Sequence, residues 1–544
     1  MHIPKSIRSN LRFLLIEICT QLKQLQNFLE DQSISVAYRI INRAGYASNL
    51  ATRIQNACTL QISQGVGTDN MTMSAVASIA ADLEKIMDLN CECIHQMGYL
   101  ERRQSIDLTV HNPFISKVLK SLGLIEESLF TNDTRLALKL ARTEGQLDSS
   151  YKKLLSSYTR KLKKKKNTED LVTALFIAHN IEQMGDALLS ISEAIISSNI
   201  GQPMDMQSYQ LLRGTVSHQK DDPALAEMEV KRLADTRSGS GISSVNYRDQ
   251  DENQQLVVFK NGEKRKLKEE VDGVERWHRT FPGVAPQILR YRKEGKSAAL
   301  LIEHLHGMTF EQVVIKGSGK TRHHALIALK KTLFSVWGST RKEQKAPAGF
   351  VKQIRKRLQD IYAVHPDFKT GCEKICGYEY PGLEKRLEWA EKLERKVPAP
   401  FSVFIHGDFN VDNVIYDPEE NTIRFIDLHR SSYLDYVQDV SVFMVSNVRL
   451  QVLAKPVRQR IREQVFSFYE IARKFASKHN DNTFEIRLTL GLARSLLTST
   501  RFILDQTVAS RMFLKANFLL DQVLGLKAEN YPAYRNPILE IFSD

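Results

Sequence analysis

Residues 404–413 read Phe-Ile-His-Gly-Asp-Phe-Asn-Val-Asp-Asn, and Phe425-Ile426-Asp427 follows. An apolar strand runs into His406-Gly407-Asp408, and Asn413 stands five residues after that Asp. A second apolar strand ends in Asp427. Phosphoryl transfer from ATP needs this set: one carboxylate to take or orient the proton of an attacking hydroxyl, and an amide and a second carboxylate to hold Mg²⁺ against the phosphates. The parts and their order point to a kinase of small molecules.

Such a loop must be faced by elements that carry the nucleotide, and residues 231–320 offer them. Gly239-Ser240-Gly241 is a tight turn whose glycines let backbone amides approach phosphate. Strands are expected at 245–248 and 255–260, and Lys260 ends the apolar run Leu256-Val257-Val258-Phe259. A lysine there wants an anionic partner. In the expected helix 266–280, Glu270 shares a face with Val274 and Trp277 and is that partner, with Glu269 as competitor. Strands are expected again at 287–291 and 298–303. The second leads through Glu303 to Gly307, where a hinge would pair its backbone with adenine. From 321 onward the pattern is mostly helical, apart from the two strands of the catalytic loop.

These residues resemble the aminoglycoside phosphotransferase and choline kinase-like family, over roughly 300 residues. The resemblance implies an α+β protein-kinase-like fold that moves the ATP γ-phosphate to a hydroxyl of a small molecule. It implies Asp408 as catalytic base, Asn413 and Asp427 as Mg²⁺ ligands, and Lys260 on the phosphates with Glu270 behind it. Gly239, Gly241 and Glu303 complete the nucleotide set. His406 braces the loop, and Asp435 and Asp439 are structural. Two departures stand out: Asn410 occupies a position where His is common, and Asp427 is followed by Leu428-His429-Arg430. That cation pair either forms a salt bridge or alters substrate choice.

Residues 1–202 read differently. Helices are expected at 5–31, 33–63, 71–100, 113–130, 132–162 and 168–199, with a loop at 65–70 and a break at Asn112-Pro113. The two halves look like copies. Ile79–Asp88 aligns with Ile177–Asp186 at an offset of 98 residues, and both stretches continue as apolar seams in steps of three and four. Two three-helix units in tandem follow. Glu84/Asp88 and Glu182/Asp186 are i, i+4 pairs in the same register, so each pair leaves one helix face. Glu92 and Glu193 extend the acidic supply. This part resembles PhoU-like proteins, phosphate-signalling bundles whose repeated Glu-x-x-x-Asp motifs carry metal clusters. The resemblance implies a transition metal at Glu84, Asp88, Glu182 and Asp186, and a phosphate-signalling protein partner.

The expected organisation is a PhoU-like bundle over 1–202, a linker over 203–230 with a short helix near 223–233, a kinase N-lobe over 231–320 and a C-lobe over 321–544. The 544 residues exceed what one core holds. The net charge of +13 divides into +3 for residues 1–200 and +10 beyond, which suits anionic ligands. The six cysteines lack zinc-site spacing and read as the reduced thiols of a cytoplasmic protein. No apolar run approaches a bilayer span. Lys161–Lys166 lacks the aromatic residues or binding fold of a nucleic-acid site and reads as a solvated helix end. Gly317-Ser318-Gly319-Lys320-Thr321 mimics a phosphate-binding loop, but Val314 replaces the required first glycine, and the segment reads as a flexible basic loop. The competing function is a catalytically silent nucleotide-binding adaptor linked to phosphate regulation. The intact Asp408, Asn413 and Asp427 speak against it.

Overall fold

The computed structural model describes residues 3–64, 70–100, 106–216, 229–235, 241–248, 254–450 and 452–542. Six helices open the chain: α1 (Lys5–Asp31), α2 (Ile34–Gln64), α3 (Asn70–Met97), α4 (Asn112–Phe130), α5 (Thr134–Leu162) and α6 (Thr168–Ile200). Their ends fall within one to three residues of those expected, because each helix carries one apolar stripe that only a helical period gathers. Pro113 sits in the first turn of α4, where its missing N–H costs nothing. Asp133 caps α5 by accepting from the Arg135 and Leu136 amides. Gly201, at φ 82°, closes α6. Within each half the three helices pack on one another, and α3 packs on α6 to join the halves.

Next come α7 (Met206–Val216), β1 (Glu229–Asp235), β2 (Gly241–Arg248), β3 (Gln254–Glu263), α8 (Lys264–Thr280), β4 (Ile288–Glu294) and β5 (Ser297–Glu303). The strands form one sheet in the order β1-β2-β3-β5-β4, with β1-β2 and β2-β3 antiparallel. Two expectations change here. Residues 206–216, read as linker, are helical and bury Met206, Tyr209, Leu211 and Leu212; the polar residues around them hid this apolar stripe. Residues 229–235 form a strand paired to β2 rather than the end of a helix.

The remainder holds β6 (Met308–Thr309), α9 (Phe310–Lys316), α10 (Gly319–Ser339), α11 (Phe350–Val364), β7 (Glu373–Ile375), β8 (Tyr378–Tyr380), α12 (Leu383–Lys396), β9 (Val403–Ile405), β10 (Val414–Asp417), β11 (Thr422–Phe425), β12 (Ser432–Leu434), α13 (Val437–Val448), α14 (Lys455–Lys478), α15 (Phe484–Thr500), α16 (Gln506–Leu524) and α17 (Ile538–Phe542). The segment 317–321, expected to be a flexible loop, instead starts α10. The Ser318 hydroxyl accepts from the Thr321 amide, so the Ser-Gly-Lys-Thr string is a helix cap. The short strands β6, β7, β8 and β12 lack the length for a period-2 signal and were not foreseen.

By contacts the chain divides into two compact units, residues 1–262 with 290–301, and residues 263–289 with 302–544. In the first, Val245, Val257, Phe259, Ala299 and Leu301 of the sheet share one apolar cluster with α1–α7. In the second, Val274 and Trp277 of α8 join a cluster that reaches from Phe310 to Phe542. The strands up to residue 262 therefore pack with the bundle.

Candidate active site

In the second unit, β9 delivers residues 406–413 as a loop and β10-β11 form the hairpin that leads to Asp427. Register pairs Val414 with Phe425 and Asp417 with Thr422. Gly407 takes φ 85°, and a Cβ there would stand 2.4 Å from the Arg430 carbonyl oxygen. Only glycine permits that approach. Asp427 itself adopts a left-handed conformation, φ 61° and ψ 57°, which opens the 428–430 turn. Helix α8 packs on the same turn through Gly273, where a Cβ would come within 2.2 Å of the Leu428 oxygen. Trp277 Nε1 donates to Ser431 Oγ at 2.7 Å, and that hydroxyl donates to the His406 carbonyl at 3.1 Å. Helix, turn and loop are thus fixed to one another.

Asp439, buried in the first turn of α13, holds the loop from below. Its two carboxylate oxygens accept the His406 amide at 2.7 Å and the Gly407 amide at 2.8 Å. Burial pushes this carboxyl up to about 7, although the two amides and Arg494 favour its charged form. Gln438 Nε2 adds a bond to the Gly407 carbonyl. His406 Nδ1 accepts the Asp408 amide at 3.3 Å, so Nε2 carries the proton donated to the Ile426 carbonyl at 2.9 Å. Burial lowers the pKa of this ring, which agrees with a neutral brace. Deeper still, Arg487 pairs with Asp435 at 2.5 Å and with Asp481, to which Tyr436 also donates at 2.7 Å.

Asp408 sits at the loop tip with its side chain 21% exposed. Oδ1 accepts from Asn410 Nδ2 at 2.9 Å, and Oδ2 meets Arg430 Nη1 at 3.0 Å. Asn413 is buried and donates Nδ2 to the Asp408 carbonyl at 2.9 Å. That bond leaves the amide oxygen as the group a cation would take. Asp427 Oδ1 accepts from His429 Nδ1 at 3.0 Å, and His429 Nε2 accepts from Arg430 Nε at 3.0 Å. The consecutive His429 and Arg430 therefore link the carboxylate of Asp427 to that of Asp408. The hydrogen bond to Asp427 raises the His429 pKa. Of the two residues beside the second Asp, Arg430 forms a salt bridge, with Asp408, while His429 accepts from Arg430 and donates to Asp427. The oxygen donors of Asp408, Asn413 and Asp427 suit a hard cation such as Mg²⁺.

The remaining nucleotide residues are placed as follows. Gly239 lies outside the described residues, as does most of the 65–70 loop. Gly241 is the first residue of β2. Lys260 lies on β3, 5% exposed, opposite Ile242. Glu270 is buried on α8, whereas Glu269 is exposed and faces Arg265 at 3.8 Å. Lys260 belongs to the first unit and Glu270 to the second. Glu303 ends β5 with its carboxylate committed to Arg424 Nη1 at 2.9 Å and to the Gln287 amide at 2.9 Å, so its side chain serves as a brace.

In the bundle, Glu84 and Asp88 lie on α3, and burial followed by the charges of Glu84 and Glu92 raises the Asp88 pKa. Glu182 and Asp186 lie on α6, where the Gln183 amide donates to both. They face a pair the sequence reading passed over, Glu144 and Asp148 of α5. Burial, then the charges of Asp148, Asp186 and Glu182, raises the Glu144 pKa. The missed pair has the same i, i+4 spacing, which was the available signal. α2 carries no acid, so the first half has no such counterpart. Lys152 holds Asp148 at 2.7 Å and His179 stands 3.2 Å from Glu182. Among the described residues no group of three or more His, Cys, Asp or Glu is arranged to hold a metal ion. No described helix is long and apolar enough to cross a membrane.

Other site residues are distant in sequence and carry no local motif. Arg449, after α13, donates Nη2 to Asn410 Oδ1 at 3.2 Å and Nη1 to Ser499 Oγ at 3.3 Å. Arg494 and Arg501, on α15 and at its end, lie within electrostatic reach of Asp408.

Comparison with known proteins places both parts. Residues 236–473 match the phosphotransferase enzyme family, and residues 114–195 match the PhoU domain. The structure is similar to that of the phosphate transport system regulatory protein PhoU from Streptococcus pneumoniae, at 16% identity and TM-score 0.35, covering 37% of this chain and 97% of that one. It is similar to an aminoglycoside-3'-phosphotransferase of type VIII, at 17% identity and TM-score 0.34, covering 54% and 98%. It is also similar to an ethanolamine kinase of Plasmodium vivax, at 13% identity and TM-score 0.33, covering 60% and 96%. No curated protein sequence matches. One chain thus joins an all-α, PhoU-like helical part to an α+β, kinase-like part that matches the phosphotransferase enzyme family.

Proposed function

We propose that the protein transfers the γ-phosphate of ATP to a hydroxyl of a small molecule. The observation that carries this reading is the convergence of the Asp408 and Asp427 carboxylates, linked through His429 and Arg430. Asp408 takes the hydroxyl proton while the oxygen attacks phosphorus. Asn413 and Asp427 would hold Mg²⁺, which would supply charge neutralisation at the phosphates. Lys260 is the cation for the phosphate oxygens in this reading. Gly239 and Gly241 offer backbone amides, and residues from Glu303 onward offer backbone groups to adenine. The family match of residues 236–473 supports this assignment.

The test is ATP consumption by the purified full chain with a panel of hydroxylated metabolites, beside Asp408→Asn. Loss of the base lowers the rate by about a hundred- to ten-thousand-fold while ATP binding persists. Equal, acceptor-independent inertness of both proteins across the panel favours the silent adaptor instead.

In the same reading the bundle is regulatory and meets a phosphate-signalling protein partner. As placed, no described group is arranged to hold an ion; a cation would need Glu182 and Asp186 to close on Glu144 and Asp148 and would displace Lys152 and the Gln183 amide. Glu84 and Asp88 lack a facing carboxylate pair on α2. Elemental analysis after metal loading checks this: Glu182→Gln loses the bound metal and Glu84→Gln keeps it. Retention by Glu182→Gln counts against the assignment.

A further inference from the structure

Four arginines, Arg430, Arg449, Arg494 and Arg501, lie around Asp408. Arg430 stands on Asp408 at 3.0 Å with half its side chain exposed. Arg449 bridges Asn410, itself bonded to Asp408, to Ser499 in the last turn of α15. Two residues on, Arg501 ends that helix with its side chain 16% exposed. Its Nε and Nη1 have no hydrogen-bond acceptor, and the carboxylate it pairs with, Asp360, stands 3.7 Å away. Arg494 is buried, bonds only weakly to Ser441 at 3.3 Å, and leaves its Nε without an acceptor. A buried guanidinium with unmet donors is costly, and an anion is what satisfies it.

Glu311, itself near Asp412, lies within electrostatic reach of Arg449, and three further carboxylates are engaged elsewhere. Asp439 holds two loop amides, and Glu394 accepts the Phe350 amide at 2.6 Å. Asp360 is shared at long range between Arg357 and Arg501. Burial pushes the Arg494 guanidinium down to about 10 and also lowers Arg501, which feels Arg357 and Arg430 besides. A cationic acceptor would meet like charge at this wall.

We propose that the phosphate acceptor is a small hydroxyl compound that already bears an anionic group, a phosphate or a carboxylate, held by Arg430 and Arg501 beside Asp408. This rests on the kinase reading above and names its substrate class. On binding, Arg430 transfers its contact from Asp408 to the acceptor anion. That frees the Asp408 carboxylate for the hydroxyl proton. The acceptor oxygen forms the new bond to the γ-phosphorus, the bond from that phosphorus to the β,γ-bridging oxygen breaks, and ADP leaves with the electron pair. Arg494 acts behind them as a positioning residue.

The experiment uses the full chain with ATP and Mg²⁺ at low ionic strength. Acceptors come as matched sets on three-, five- and six-carbon polyols: neutral, monophosphorylated, carboxylated and amino-substituted. The expected kcat/KM for anionic members exceeds that for neutral ones by about tenfold or more, the worth of one charge-assisted contact. Arg501→Gln raises KM for the anionic members by about the same factor, with little change in kcat, and Arg501→Lys restores part of it. A phosphate preference over carboxylate, or the reverse, identifies which anion the wall takes.

A second arm needs no turnover. Calorimetry with ADP and Mg²⁺ present, so that the nucleotide's own subsite is filled, titrates the polyol monophosphates and carboxylates into wild type and Arg501→Gln. Binding that is weakened about tenfold by the substitution supports the inference even if no acceptor is phosphorylated, an outcome that would instead overturn the kinase reading. The inference is overturned if neutral or amino members react as well as anionic ones, or if no anion binds in an Arg501-dependent way.

Discussion

α3 of the bundle buries Met73, Val76, Ile79, Ala80, Leu83 and Ile86, and no charged residue. α15 of the catalytic unit buries Glu485, Arg487 and Arg494 among its leucines. The bundle is specified by apolar periodicity, and among its described acids only Glu17 and Asp170 are buried. The catalytic unit carries charge inside, with Arg487 joining Asp435 to Asp481 and Asp439 holding two backbone amides. The interior of the first makes a shape. The interior of the second also holds a loop in one conformation, and such positions are costly to disturb.

Removing Arg487 should do the most damage. Arg487→Met strands two buried carboxylates and costs about 3–5 kcal/mol of stability, read as a fall in the urea midpoint of the catalytic unit. A midpoint within error of wild type would show that the buried charges are not what holds that unit. The bundle counterpart is Ile79→Ala, which leaves a cavity and costs about 2–5 kcal/mol. Followed by helical circular dichroism, its loss belongs to the first unit and leaves the tryptophan signal of Trp277 and Trp337 in place. Coincident loss of both signals would show the two units unfolding as one.

A third effect is a pH dependence. The unfolded chain releases the Asp439 proton near its ordinary 3.8, whereas burial keeps it on in the folded chain up to about 7. Between these values the folded state binds more protons, so the contribution of this group falls as pH rises, by about 1.4 kcal/mol per pH unit. Asp439→Asn removes that slope. Urea midpoints at pH 5 and pH 7.5 should therefore show the stability difference between wild type and variant shifting in favour of the variant at the higher pH. An unchanged difference contradicts the assignment.

The same contrast explains what the sequence showed. The six helices of the bundle were legible to within a few residues, since a stripe such as Leu11, Leu14, Ile18, Leu22 and Leu25 has no other use than burial on one helix face. The 406–413 loop and the hairpin to Asp427 were legible because His406, Gly407, Asp408, Asn413 and Asp427 lie within 22 residues at a spacing few other sequences share. Arg449, Arg494 and Arg501 were not, since a lone arginine on a helix has no pattern until distant elements are brought to Asn410 and Asp408. Helix α7 was hidden by the glycine and polar residues on either side of it. The Ser318 cap was read as a flexible loop because glycine and polar residues suit a loop as well as a helix start, and only the Ser318 hydroxyl on the Thr321 amide distinguishes them.

The central claim is that Asp408 serves as base in a transfer from nucleotide to an organic hydroxyl. It is tested most directly by incubating wild type and Asp408→Asn with γ-labelled ATP and the matched acceptor sets, then resolving where the label goes. The account predicts label in a phosphate ester of the acceptor for wild type, and about a hundred- to ten-thousand-fold slower appearance of that ester for the variant. Label moving at the same rate in both proteins, or never leaving ATP in either, would contradict it.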